Sequence, residues 1–231
     1  MAAGWKDDQE LFRLARKELF TAVVGDVLDQ MGLYHQFLPP RIKPLEKGMA
    51  AIGRAMTVLE ADFFQDVGPE TRNPLSAKPF GLLFEALDDL AQGEIYICAG
   101  GSPRYALWGG LMTTRALKLK AAGAVMDGYA RDTLEILELD FPVFAHGSFA
   151  QDQGPRGKVV DWRVPIEIDG IRIDPGDIVF GDVDGVLVIP QEAEEEAFSR
   201  ALEKARGEAK VAEAIRGGMG AAEAWNKFGI M

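Results

Sequence analysis

The chain has 231 residues, 48% of them hydrophobic, which fits one domain able to bury a sizeable core. A formal net charge of -11 excludes the basic surface that nonspecific nucleic-acid binding needs, yet leaves room for a local arginine to hold a small anion. No apolar run approaches the roughly 20 residues of a membrane helix, and the opening Met-Ala-Ala-Gly-Trp-Lys lacks a signal-peptide profile, so a cytoplasmic protein is expected.

Residues 7–20 place Leu11, Phe12, Leu14, Ala15, Leu19 and Phe20 at a spacing that gives one apolar helix face. Residues 21–31 predict a second helix, opened by Thr21 and closed by Gly32; Pro39, Pro40 and Pro44 mark the loop after it. A strand is expected over 50–60, a polar surface connection over 69–79, a helix over 80–90 and a strand over 94–99. That last strand holds Cys98, the only cysteine, which reads as a buried structural thiol with no partner for a disulfide or a Cys-x-x-Cys site. A helix over 110–122, a strand over 124–127 and a short helix over 132–139 follow.

From Pro142 the texture becomes a series of short β runs: 142–145, 158–168, 171–173, 177–180 and 185–190. Asp169-Gly170, Pro175-Gly176-Asp177 and Asp184-Gly185 separate them as turns. The chain ends in a charged helix over 192–216, acidic at its start as the helix dipole favours, and a short terminal helix after Gly217-Gly218. The acidic run 192–196 reads as a solvated helix start. Helix–strand alternation does not persist around eight units, so a layered α/β sandwich is expected rather than a TIM barrel.

The chemistry concentrates between Gly109 and Glu135. Gly109 and Gly110 open a helix whose first amides are unpaired and partly positive, which suits an anion; two glycines there also serve as ordinary turn residues. The spacing matches neither a Walker A loop nor a dinucleotide fingerprint. Gly100-Gly101 follows one expected strand, and Arg131-Asp132 comes a few residues after the next. In adjacent parallel strands these would meet at the carboxyl edge, where ligands gather. Arg131 would then grip a carboxylate or keto oxygen, Asp132 a divalent cation, and Glu135 one of its waters. The alternative is a surface Arg-Asp pair with Asp132 as an N-cap and Glu135 completing a capping box.

With this motif the stretch from about Thr21 to Pro190, roughly three quarters of the chain, resembles the RraA-like family. That family includes the class II pyruvate aldolases acting on 4-hydroxy-4-methyl-2-oxoglutarate and 4-carboxy-4-hydroxy-2-oxoadipate. The aldolase motif Gly-x20-Arg-Asp-x2-Glu/Asp is met by Gly110, Arg131, Asp132 and Glu135. Supporting text lies at Thr21-Ala22, Asp26-Val27-Leu28-Asp29, Phe141-Pro142-Val143-Phe144, Pro175-Gly176-Asp177-Ile178-Val179 and Asp184-Gly185-Val186. One departure is Gly110 itself, where the family often has an acidic residue.

The resemblance implies Asp132 as direct ligand of Mg²⁺ or Mn²⁺, with Glu135 bound through water. It implies Arg131 at the substrate oxygen where charge builds, and amides around Gly109, Gly110, Leu111 and Met112 on the pyruvyl carboxylate. It further implies a carbon–carbon lyase for a small anionic 2-oxo acid, by retro-aldol cleavage or oxaloacetate decarboxylation through a metal-stabilised pyruvate enolate. Homotrimers or homohexamers that share site residues are the family's usual assembly. The expected fold is a layered α/β/β/α sandwich, swivelling-domain-like. Residues 1–190 would form the catalytic domain with its N-terminal helices, and 191–231 a helical extension packing on the core or a neighbour. Two other readings belong to the same resemblance: a noncatalytic protein-binding regulator of a ribonuclease, and a lyase for a sugar-acid derivative.

Among the remaining residues, His146 reads either as a histidine approaching a pocket or as a packed strand-end residue; with His35 it makes two, too few for a histidine-rich metal site. Arg104 and Tyr105 read either as contacts to the distal part of a substrate or as exposed loop residues. Asp127 reads as a turn residue, and Trp108 and Trp162 as packing anchors. No lysine stands out as buried, and no Schiff base is required.

Overall fold

The structure is a computed structural model that describes residues 4–63 and 73–230. It begins with α1 (Asp8–Glu18) and α2 (Thr21–Gln30), then β1 (Lys43–Pro44) and the long β2 (Ala51–Asp62). A 3₁₀ turn (Pro74–Ala77) leads to α3 (Leu83–Asp88), β3 (Glu94–Ala99) and β4 (Ala106–Trp108). Next come α4 (Gly110–Leu119), β5 (Gly123–Met126), β6 (Tyr129–Ala130), α5 (Thr133–Glu138) and β7 (Val143–Ala145). The β-rich stretch supplies β8 (Gly157–Trp162), β9 (Ile166–Ile168), β10 (Ile171–Ile173), β11 (Ile178–Gly181) and β12 (Val186–Ile189). Helices α6 (Glu194–Arg216) and α7 (Ala221–Phe228) close the chain. The connection expected over 69–79 lies partly outside the described residues; its second half contains the 3₁₀ turn.

The fold divides into two compact units, 1–34 with 192–231, and 35–191. In the first, α1 buries Leu11, Phe12 and Ala15, and α2 buries Val23, Val24, Val27 and Leu28. Asp7 caps α1 by accepting the Glu10 amide at 2.9 Å. Arg206 pairs with Glu18 and Lys204 with Asp26, each at 2.8 Å, so the basic middle of α6 meets the acidic outer faces of the first two helices.

The second unit is a mixed α/β layered structure, the class expected from the sequence. Strands β2, β3, β5 and β7 run parallel in that neighbour order, with β1 antiparallel beyond β7. β2 outruns its partner β3, so its other edge takes two antiparallel strands: β11 along Ala51–Arg54 and β8 along Val58–Asp62. Parallel strands must be covered on both faces. One face packs Met56, Val58, Tyr96, Cys98, Ala124 and Met126 against α3, α4 and α5. The other sets Ala55, Ile95, Ile97 and Val125 against the β9–β10 hairpin and β11–β12. Cys98 is buried, as expected.

Three local features depart from the expectation. β4 and β6 are additional short strands that form a separate parallel pair. Arg163, in the left-handed region at φ 53°, splits the expected 158–168 run into β8 and β9. Lys158 corrects the reading that no lysine is buried: it is 6% exposed. Its ammonium donates to the carbonyls of Leu75 (3.1 Å), Ser76 (2.8 Å) and Lys78 (2.5 Å), tying β8 to the 3₁₀ turn. Trp108 is the packing anchor expected, lying between Tyr96 (5.1 Å) and a stacked Phe141 (6.0 Å).

Parallel pairing of β2 with β3 requires a glycine at residue 53. A Cβ there would sit 2.3 Å from the Gly93 carbonyl oxygen, a backbone atom that cannot rotate away. Gly53→Ala should therefore cost about 2 kcal/mol of unfolding free energy. Urea titration tests this; an unchanged midpoint would show that the sheet yields at no cost.

Candidate active site

The carboxyl ends of the four parallel strands lie along one sheet edge, and they bring Asp62, Gly100, Asp127 and His146 to that edge. Above it stands the β4–β6 pair, with Ala106 opposite Tyr129 and Trp108 opposite Ala130. β4 runs straight into Gly109 and α4; β6 runs straight into Arg131, Asp132 and α5. The Arg131 amide donates to the Trp108 carbonyl at 2.9 Å. The glycine turn and the Arg-Asp pair therefore emerge side by side. Thr113 fixes the start of α4: its hydroxyl donates to the Gly109 carbonyl (3.1 Å) and accepts from the Trp108 indole (2.7 Å).

Asp132 occupies the N-cap position of α5, but it does not act as a cap. Its backbone is left-handed, at φ 56° and ψ 37°, and its side chain accepts no amide of α5. Its Oδ2 instead accepts the Gly110 amide at the mouth of α4, at 3.1 Å. A non-glycine residue in this region costs free energy, and such strain clusters at functional positions. Glu135 also leans on α4. A Cβ on Gly110 would fall 2.0 Å from Glu135 Oε2, and one on Gly109 would fall 2.8 Å from Asp132 Oδ2. The two glycines thus let two carboxylates lie against one helix start, and the capping-box arrangement is not formed.

Arg131 is held by Asp152, Nη1 to Oδ1 at 2.7 Å, with its Nε 3.9 Å from Asp132 Oδ2. With Asp132, Thr133, Ser148, Phe149 and Ala150 it lines a recess of about 250 Å³. The Leu111 and Leu134 side chains are 82% and 77% exposed on the first turns of α4 and α5, and Met112 is half-buried. Among the described residues no cluster of three or more histidine, cysteine, aspartate or glutamate side chains has metal-site geometry. Asp132 and Glu135 are two carboxylates beside neighbouring glycines of the same helix start.

Two polar clusters that the sequence reading did not foresee border this site. In the first, Tyr105 is buried rather than on an exposed loop, and its hydroxyl donates to Asp62 at 3.0 Å. Gln153 donates to Glu60 Oε1 at 2.8 Å, and Glu60 Oε2 has no partner among the described residues. Burial drives the Glu60 carboxyl up to about 8, with the nearby Asp62 charge adding to the rise. Burial also pushes Asp62 upward, but the Ser102 amide and the Tyr105 hydroxyl outweigh it and hold that group below its ordinary value. In the second cluster, Asp127 is more than a turn residue: it receives Arg41 at 3.2 Å and lies 3.0 Å from His146 Nε2. Arg41 also reaches Asp169 at 2.8 Å. Glu60 carried little sequence signal, since it closes the strand expected over 50–60, which already holds another charge at Arg54. Asp152 and Gln153 carried no such mark.

A glycine-opened helix, an arginine and two carboxylates thus meet near the carboxyl edge of a parallel sheet in a mixed α/β protein. The chain belongs to the RraA-like family: residues 21–188 match the family model described as Aldolase/RraA. A protein of Halalkalibacterium halodurans named "Putative 4-hydroxy-4-methyl-2-oxoglutarate aldolase" is 32% identical over 185 residues, 80% of this chain and 79% of that protein. DlpA of Legionella pneumophila is 30% identical over 199 residues, 86% of this chain, though the match spans only 30% of DlpA. Among solved structures, an uncharacterised protein of Pseudomonas syringae pv. tomato superposes with a TM-score of 0.79 at 28% identity, covering 95% of this chain and 98% of that one.

The raised Glu60 carboxyl has a consequence for stability. Below the ordinary value of 4.5 both folded and unfolded chains hold the proton. Between 4.5 and about 8 only the folded chain keeps it, so this residue's contribution falls as pH rises, by at most about 1.4 kcal/mol per unit. Glu60→Gln removes the titration. The variant's urea midpoint relative to wild type should therefore climb from pH 5 to pH 8 and then level. Parallel pH profiles for the two proteins would refute a buried neutral acid at this position.

Proposed function

We propose that this protein is a divalent-metal-dependent carbon–carbon lyase that cleaves a small 2-oxo acid, by retro-aldol cleavage of a 4-hydroxy-2-oxo acid, decarboxylation of oxaloacetate, or both. The observation that carries the reading is the left-handed Asp132, whose carboxylate lies on the Gly110 amide instead of capping its own helix. The aldolase name of the Halalkalibacterium relative supports the reaction class.

The donor set suits a hard cation. Asp132 and Glu135 offer carboxylate oxygens beside one helix start, where a Mg²⁺ or Mn²⁺ ion that keeps several waters needs one or two such groups. On this reading Asp132 is the direct ligand and Glu135 holds a metal-bound water. When bound, the ion supplies Lewis acidity toward a 2-keto oxygen.

The remaining roles belong to the chain. The Leu111 and Met112 amides, in the first turn of α4, have no partners inside the helix and take the substrate carboxylate, joined by the Gly110 amide once Asp132 turns to the cation. Gly109 leaves the space that brings the Asp132 carboxylate and the Arg131 side chain up to this helix start. Arg131, steadied by Asp152, directs its other N–H groups at the oxygen on which charge develops as the carbon–carbon bond breaks. Its positive charge also stabilises the C4 alkoxide formed as the hydroxyl proton passes to water. The exposed Leu111 and Leu134 form an apolar rim suited to cover by a neighbouring subunit in a homotrimer or homohexamer. The reading places the enzyme in the cytoplasm.

Pyruvate release from oxaloacetate and from 4-hydroxy-2-oxo acids tests the proposal. Activity should vanish with chelator and return with Mg²⁺ or Mn²⁺. Asp132→Ala should lose about 10²-fold or more in kcat/KM, and Glu135→Gln about tenfold, through weaker metal affinity. Turnover that survives chelation, or full activity in Asp132→Ala, would defeat the mechanism.

A further inference from the structure

We propose that Glu60, as a neutral acid, is a positioning residue for Arg131, acting through Gln153 and Asp152. The inference rests on Arg131 being the substrate contact proposed above.

The geometry starts at a register shift between Leu59 and Glu60, where β2 pairs with β8 near its end. Glu60 continues the inward row of Met56 and Val58 and is 2% exposed. A buried carboxylate with one bare oxygen is costly, whereas a carboxylic acid needs only one acceptor for its proton. Tyr105 supplies it. Its hydroxyl and Glu60 Oε1 crowd the same point beside Gly157, and the single proton of the phenol goes to Asp62. The Tyr105 oxygen is then left to accept a proton carried on Glu60 Oε1. Asp62 ends the row as a carboxylate and takes the Ser102 amide at 2.8 Å.

The cluster is built tightly. A Cβ on Gly157 would stand 2.2 Å from the Tyr105 hydroxyl and 2.5 Å from Glu60 Oε1; one on Gly101 would stand 2.8 Å from the same hydroxyl. Asp62 is the charged group facing Glu60. Tyr96, Cys98 and Tyr105 also face it, and burial pushes all three further from ionising. Loss of the Glu60 proton would put two carboxylates on one tyrosine.

The path from this acid to Arg131 is short. Gln153 is rooted on Glu60 by its side chain, and its carbonyl takes the amides of Arg156 (2.7 Å) and Gly157 (2.9 Å). The preceding residue, Asp152, grips Arg131 at 2.7 Å. The Gln151 carbonyl receives the Ala106 amide at 2.9 Å and so pins the same turn to β4. One turn thus has its root in a buried acid and its tip on the guanidinium. Ionising Glu60 sets its charge against Asp62, and that repulsion shifts the root and with it the tip.

The test compares the full-length wild type with Glu60→Gln, which keeps the shape and the Gln153 contact but cannot ionise. Infrared difference spectra across pH 6 to 10 should show a protonated carboxyl that disappears with rising pH in wild type and is missing in the variant. The ¹⁵N resonance of Arg131 Nε, assigned with Arg131→Lys, should move over the same range in wild type and stay fixed in Glu60→Gln. In the pyruvate assay wild-type kcat should fall on the order of tenfold above that transition with little change in KM, while the variant's profile stays flat. Gln153→Leu, which leaves Glu60 in place, should uncouple the Arg131 signal from pH. No protonated carboxyl at neutral pH, or an Arg131 signal indifferent to its loss, would overturn the inference. A chain without lyase activity would instead overturn the proposed reaction, and the two spectroscopic readouts would still decide the link between Glu60 and Arg131.

Discussion

The candidate site depends on a ladder of two short parallel strands. β4 and β6 together contain five residues, yet each ends on a residue that opens the site: Gly109 after Trp108, Arg131 after Ala130. The buried Trp108 anchors this ladder in the core through Tyr96 and Phe141, and through Thr113 it fixes the first turn of α4. Packing therefore sets the separation between a helix mouth and an Arg-Asp pair that are more than twenty residues apart in sequence. Placement on rigid elements is what an electrostatic site requires, because a donor misplaced by about 1 Å loses most of its effect.

Parallel pairing explains why so much polar chemistry collects at one edge. β2, β3, β5 and β7 all leave the sheet in the same direction, so each delivers its next residues to a common rim. Asp62, Gly100, Asp127 and His146 arrive there in this way. Their charges are organised rather than merely concentrated. Arg131 pairs with Asp152 and Arg41 with Asp127 and Asp169, while Glu60 is held where it favours its proton. A chain with net charge -11 can keep a small anion at such a rim only if its local carboxylates are paired, neutral or committed to a cation.

The regular elements were legible because their periodicity is strong. The apolar face of α1 is one case; the unbroken Glu94–Ala99 run, which became a central parallel strand, is another. β4 and β6 were not legible, since three- and two-residue strands are too short to show a period and owe their existence to each other. The motif from Gly110 to Glu135 could be read from spacing, but capping box and ligand pair fit the same letters. Only the left-handed backbone of Asp132 separates them. Asp152, Gln153 and Tyr105 were hidden for a different reason: their roles arise from contacts 21 to 93 residues distant in sequence, between Asp152 and Arg131 at the near end and Gln153 and Glu60 at the far end. Lys158 was missed because a lysine in a strand reads as solvated unless carbonyls surround it, and here three do.

Gly110 is where the chain departs from its family's frequent pattern, and the geometry gives the departure a meaning. The space a side chain at residue 110 would take is already filled by the Glu135 carboxylate. An acidic residue there and the observed pose of Glu135 are therefore alternatives. With glycine, the helix start faces two carboxylates and one arginine; with an aspartate or glutamate it would face three carboxylates, one more negative charge against the same guanidinium. On the proposed reading the smaller charge favours a dianionic substrate, since each added carboxylate repels the ligand across a short, poorly screened distance. Because Glu135 reaches the space through the end of a flexible side chain, a small residue at 110 would displace the carboxylate without breaking the fold. Glycine at this position is then what permits the pose of Glu135, and charge at the helix mouth is what separates an acidic residue there from a merely small one.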